Sequence, residues 1–234
     1  MEKGRIECRG VGKKFGDFTA LSDVDLTIDE GDFLVLFGPN GAGKTTLLKI
    51  LCGMVRPTSG TARVGGADSH SPAIRGKIGV ISHKSYLYDS LMALENLVFF
   101  GEMYGVADPA GRAMELLKTV ELENRRDSVV RAFSRGMVQR LSIARALVAD
   151  PEFIFLDEPF TGLDHHSALM FQSLLSALHR RGKTVMMITH DIPLGLAAST
   201  RAAILRGGRK IFDESTLGTG VPEFMRMYVE RVEK

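Results

Sequence analysis

The chain has no tryptophan, only two cysteines and no excess of charge among its 234 residues. Cys8 and Cys52 cannot supply the disulfide framework of a small secreted domain, and they lack the paired spacing of a zinc or redox centre. They read as reduced thiols filling a core in a cytosolic protein. A membrane-spanning helix needs roughly 18 consecutive apolar residues. No such run is present, so any membrane role must pass through a partner. The charged start, Met1 to Arg5, has no apolar stretch behind it, and no signal peptide is expected. Thirty basic residues face 28 acidic ones, interspersed along the chain. That balance excludes the basic footprint of a nucleic-acid binder. Low-complexity tracts are absent too, and a 44% hydrophobic content is enough for a packed core.

What the chain does have is glycine in an informative place. Gly38, Pro39, Asn40, Gly41, Ala42, Gly43, Lys44 and Thr45 form a G-x-x-x-x-G-K-[ST] phosphate loop. The apolar run Phe33 to Phe37 precedes it, and a helical pattern from Thr46 to Leu51 comes after it. The glycines let backbone N–H groups turn inward towards a polyphosphate, and the next helix points its positive end at the same anion. Lys44 then reaches the β- and γ-phosphates, and Thr45 offers its hydroxyl to Mg²⁺.

Around this loop the pattern is that of an α/β protein. Alternating residues from Arg5 to Ile28, broken at Gly16 and Asp17, predict antiparallel strands. Thr61 to Val64 and Ile78 to Ile81 are short strand candidates. Between residues 90 and 149 the period becomes helical, with Leu91, Leu94, Leu97 and Val98, then Met114, Leu117 and Val120, then Val138, Leu141, Ala144 and Val148. Strands return at Phe153 to Leu156 and at Val185 to Ile188. The helix between them carries Met170, Leu174, Leu175 and Leu178, and it stops near Gly182. A strand pair, Ala202 to Leu205 and Lys210 to Phe212, precedes a helix led by Pro222.

Two further clusters bear chemistry. Phe153 to Leu156 would bury a strand that delivers Asp157 and Glu158 to its carboxyl end, where open α/β sheets bind ligands. An aspartate there suits Mg²⁺, and the neighbouring glutamate suits proton abstraction from water. Phe133-Ser134-Arg135-Gly136-Met137 opens an amphipathic helix with a serine cap.

Taken in order, these segments resemble the ATP-binding cassette (ABC) family over about residues 5 to 215. Ser134 and Gly136 keep the key positions of that family's Leu-Ser-Gly-Gly-Gln signature, with Phe133, Arg135 and Met137 as departures. The resemblance implies a single ATP-binding domain over 1–234. Its P-loop NTPase core and antiparallel β subdomain would span 1–85 and 150–234, with a helical subdomain at 86–149. It also implies that Phe15 stacks on adenine and that Gly38 to Thr46 bind phosphate. Lys44, Glu158 and His190 would act in catalysis, and Asp164 would lie in a loop crossing a dimer interface. Mg²⁺ would be held by Thr45 and Asp157. His83 replaces the family's usual glutamine, so a metal role for it is open, while its place in the coupling loop to a membrane protein is kept. His83, Leu94-Glu95-Asn96-Leu97 and the segment Leu156 to Thr161 look most like the heme-exporter branch.

The resemblance further implies a cytoplasmic ATPase, peripheral on the membrane's inner face. It would close head-to-tail with a second ATP-binding subunit around two ATP and drive an integral permease docked near His83 to Leu97. The alternatives are a soluble cassette acting in translation or repair, a GTPase and a regulatory ATP switch. The first usually needs two cassettes or a long coiled-coil insertion. The second has only Asn124-Arg125-Arg126-Asp127 near its base-selecting motif, and the third is disfavoured by Glu158 together with His190.

Overall fold

The computed structural model describes residues 5–82 and 84–233. In chain order the strands are β1 (Ile6–Phe15), β2 (Phe18–Ile28), β3 (Phe33–Phe37), β4 (Ser59–Val64), β5 (Ala67–Asp68), β6 (Ile78–Ile81), β7 (Phe153–Asp157), β8 (Thr184–Ile188), β9 (Arg201–Arg206) and β10 (Arg209–Ser215). The helices are α1 (Lys44–Leu51), α2 (Ala93–Met103), α3 (Pro109–Thr119), α4 (Arg135–Ala146), α5 (His165–Arg180), α6 (Ile192–Ala198) and α7 (Val221–Glu233). A 3-10 turn at Pro72–Lys77 leads into β6.

Two sheets result. A four-stranded sheet runs β2-β1-β4-β5, all antiparallel, and a six-stranded sheet runs β10-β9-β3-β8-β7-β6. Within the second, β9, β3, β8, β7 and β6 are parallel, and only β10 runs against its neighbour. Parallel strands need both faces covered, and every residue of β3, β7 and β8 is buried. Alternation divides them between two cores. Leu34, Leu36, Phe153, Phe155, Met186 and Ile188 pack with α1 and the antiparallel sheet. Phe33, Val35, Phe37, Ile154, Leu156, Val185 and Met187 pack on the opposite face with residues of α2 to α5 and α7. Cys8 lies in the first of these cores, and burial pushes its thiol pKa up to about 12, which suits an inert core thiol.

Some details depart from the sequence pattern. The buried face of α5 is Ser167, Phe171, Leu175 and Leu178, and Met170 and Leu174 are half-buried beside it. The aromatic ring at 171 takes the central place because it packs at a tilt against Phe160 from the preceding loop, with centroids 5.3 Å apart. Helix α4 ends at Ala146, so Val148 is buried from the loop that comes next.

The approach to α2 is fixed by one buried amide. Asn96 accepts from the Tyr88 N–H at 2.8 Å and donates to the carbonyls of Tyr88 and Met92, each at 3.0 Å. This stitches the segment before α2 to its first turns. Asn96→Leu would strand these groups, and we expect a loss of about 2 kcal/mol in urea unfolding; a midpoint unchanged from wild type would contradict that role.

Candidate functional site

The C-terminal ends of β3, β8 and β7 lie side by side. After β3 the chain turns through residues 38–43 into α1, and two glycines make this path possible. Gly38 has φ +144° and Gly43 φ +98°, a region costly for any side chain. A Cβ at Gly38 would sit 2.1 Å from the Leu205 carbonyl oxygen, and one at Gly43 would sit 2.5 Å from that of Ala20. Helices α3, α4, α5 and α6 have side-chain caps from Asp108, Ser134, Asp164 and Asp191. Helix α1 has none, with Gly43 at its start. Its first N–H groups and positive end are left to an anion.

The charged groups converge on this loop. Lys44 Nζ donates to the carbonyls of Gly38 at 2.6 Å and Pro39 at 3.0 Å, so its ammonium lies across the loop it would share with phosphate. Burial pulls the Lys44 pKa down, and the carboxylates of Glu158 and Asp157 push it back up. The Thr45 hydroxyl donates to Asp157 at 3.0 and 3.3 Å from the two carboxylate oxygens. Hydroxyl and carboxylate form the hard oxygen donor set that suits Mg²⁺. Glu158 has φ +51°, an unfavourable backbone for a residue with a side chain, held by its N–H bond to the Ile188 carbonyl at 3.0 Å. His190, just beyond β8, places Nδ1 3.0 Å from Glu158 Oε2.

A cleft of about 300 Å³ opens here, lined by Asn40 to Thr46, Asp157, Glu158, Ile188, Ala20 and Phe18, with Gly38, Pro39 and His190 outside that lining. Phe15 is not in that lining. It pairs across the hairpin with Phe18, is half exposed and carries Lys13 Nζ 4.9 Å above its ring. Phe18, which the sequence pattern does not single out, lines the cleft. Nothing in the sequence separates two phenylalanines flanking a turn, and only the strand register does so.

Ser134, Gly136 and Asp164 stand apart from the cleft. Ser134 is exposed at the start of α4, and its hydroxyl accepts the Met137 N–H at 3.3 Å. A Cβ at Gly136 would meet open space. Asp164 caps α5 by accepting the Ser167 N–H at 2.7 Å, a bond that holds its carboxyl below the usual range. A link that the motifs did not suggest runs from Gln139 Nε2 to the Pro159 carbonyl at 3.0 Å, tying α4 to the exit of β7. His83 lies outside the described residues.

Comparison with known proteins agrees in one direction. The ABC transporter family pattern matches residues 21–161. The Nod factor export ATP-binding protein I of Burkholderia lata is 38% identical over 95% of this chain and 77% of its own length. A Rhizobium protein of the same name is 34% identical over 100% of this chain and 84% of its own. Neither is named as a heme exporter, so that finer resemblance gains no support from them. Among solved structures, the dimeric post-hydrolysis state of the ATP-binding cassette MJ0796, bound to ADP and Pi, superposes with a TM-score of 0.82 at 31% identity, covering 90% of this chain and 98% of that one. An ATP-binding subunit of an ABC transporter superposes at 0.85 with 26% identity, covering 97% and 94%.

In the phosphate loop the tightest steric constraint is at Gly38. Gly38→Ala should displace the loop from Leu205 and weaken nucleotide binding by about tenfold or more in calorimetry. Wild-type affinity would show that the loop has room the structure denies it.

Proposed function

The chain belongs to the ABC transporter family and is an ATP hydrolase of its P-loop class, and from that membership we propose that it powers an exporter, two copies closing around ATP on a separate membrane permease. The observation that carries the catalytic part is the Glu158–His190 pair, 3.0 Å apart, beside the Thr45–Asp157 pair on neighbouring strand ends.

The backbone N–H groups of the loop and of α1 hold the phosphates, and Lys44 leaves its two carbonyls to reach the β- and γ-phosphates. Thr45 and Asp157 would hold Mg²⁺, which would supply positive charge against the transferred phosphoryl group. Glu158 accepts a proton from the attacking water as the new oxygen–phosphorus bond forms and the bond to the ADP oxygen breaks. His190 keeps the Glu158 carboxylate in place and offers its other ring nitrogen towards the γ-phosphate. Phe18, with Phe15 across the hairpin, gives the adenine an apolar surface.

The dimer follows from what the cleft lacks. Ser134, Gly136 and Asp164 are outside it in their own chain, yet the α4 start is exposed and its serine O–H remains a free donor for an anion. A second copy placed head-to-tail would bring these groups over the open side of the triphosphate. The dimeric structure of MJ0796 supports pairing of two cassettes, and the export named for the relatives supports the direction of transport.

Among the described residues no helix is long and apolar enough to cross a membrane, and the reading places the transport pathway in the permease. A cleft of about 330 Å³ between the core and α2 and α4 offers a place for it. Tyr86, Tyr88, Phe99 and Met103 are each at least 39% exposed beside it, an apolar surface of the kind that marks interaction sites. We place the docking of the permease on this surface.

Glu158→Gln should keep ATP affinity while lowering turnover by about a hundredfold or more, because an amide cannot accept the proton. Hydrolysis at the wild-type rate would remove Glu158 from the base role. Lys44→Ala should instead lose nucleotide affinity in the same titration, since it removes the one ammonium in the loop; unchanged affinity would undo the assignment of the cleft.

A further inference from the structure

Glu158 leaves β7 on a turn whose shape decides where its carboxylate points. Its N–H donates to the Ile188 carbonyl at 3.0 Å, and its own carbonyl accepts the Thr161 N–H at 3.2 Å. Pro159 stands between these two bonds, buried, with a fixed φ and no N–H to anchor it. The turn therefore has one backbone handle left, the Pro159 carbonyl. Among the described residues a side chain takes it: Gln139 Nε2 donates to this oxygen at 3.0 Å.

The donor comes from α4. Arg135, Val138 and Gln139, spaced three and four apart, share one face of that helix. All three line a cavity of about 220 Å³ that Glu158, Thr161 and Gly162 also line. Open space thus lies between α4 and the turn, and apolar packing alone does not fix one against the other. A water entering the cavity could replace the amide as a donor to Pro159. It could not hold the turn at a set distance from the helix.

We infer that Gln139 is a positioning residue for hydrolysis: its amide holds the Pro159 turn against α4 and so keeps the Glu158 carboxylate aimed at the attacking water. The inference rests on the reading of Glu158 as the base. His190 steadies the carboxylate from the end of β8, at 3.0 Å, and Gln139 steadies the backbone beside it from another element. A misplacement of about 1 Å in a reacting group can cost about a hundredfold in rate. Gln139 lines the cavity beside the turn and is absent from the lining of the nucleotide cleft. Its loss should therefore fall on turnover and spare ATP binding.

Gln139→Met keeps the length of the side chain and removes its donor. In steady-state assays it should lower kcat by about tenfold and leave the KM and calorimetric affinity for ATP within about twofold of wild type. An unchanged kcat overturns the inference, and so does a loss that falls on KM or merely follows the folded fraction in urea unfolding. Single turnover of labelled ATP then measures the coupling. In the Glu158→Gln background the same change should cost less than about twofold, because the carboxylate it aims is gone; a second tenfold loss would show that Gln139 acts elsewhere. Should Gln139→Met fold poorly, Gln139→Glu, which preserves the shape of the amide, takes its place. Its carboxyl donates to Pro159 only when protonated, so its activity relative to wild type should rise as the pH falls from about 8.5 to about 6. The charged residues sharing its cavity are Arg135 and Glu158. A ratio that stays flat or falls towards acid pH overturns the inference. Wild-type turnover by Glu158→Gln alone would instead remove the base reading on which it rests.

Discussion

A single hydrogen bond brings the site's two halves into register, that from the Thr45 hydroxyl to the Asp157 carboxylate. Thr45 belongs to the helix after β3, and Asp157 ends β7. The two strands are not neighbours, since β8 lies between them. The bond therefore spans three strand ends and fixes the distance between the phosphate loop and the residues just beyond β7. Glu158 is aimed by the same geometry. Its left-handed backbone turns the chain out of the sheet, and the Ile188 carbonyl of β8 holds it there. His190 leaves β8 two residues later and meets Glu158. The Glu158–His190 contact and the Thr45–Asp157 bond are consequences of one parallel register, in which Leu156 pairs with Met187 and Asp157 with Ile188.

Such a register needs a rigid sheet, which explains why both faces are covered so completely. Phe33, Val35 and Phe37 anchor one core and Leu34 and Leu36 the other. The five residues of β3 thus bind the layers on either side before releasing the phosphate loop. Helix α1 packs Leu47, Leu48, Ile50 and Leu51 beneath that loop. The loop is held at both ends by buried apolar elements.

Chemistry that depends on local backbone demands was legible in the sequence. The glycines at 38 and 43 are required by their own φ angles and close contacts, and the run from Phe153 to Glu158 announces a buried strand with acids at its end. Chemistry set by packing across the fold was not. Phe15 and Phe18 flank one turn, and only the hairpin's position puts the second in the cleft. Arg145 follows apolar positions on an amphipathic helix, where an arginine ordinarily reads as a solvated charge. Its burial becomes visible only when Tyr86 and Phe100 arrive from α2 and the segment before it. Phe171 displaced Met170 and Leu174 from the centre of the α5 face for a similar reason, its contact with Phe160 being absent from any periodic pattern.

We propose that one chain holds only part of an ATP site, and that the exposed start of α4 on a second copy supplies the rest. Static light scattering of the Glu158→Gln protein, with hydrolysis blocked, measures this directly. The account predicts a mass twice the 25.6 kDa of the chain at saturating ATP and Mg²⁺, returning to the single-chain value without nucleotide. A mass that stays at one chain while ATP is bound would contradict it.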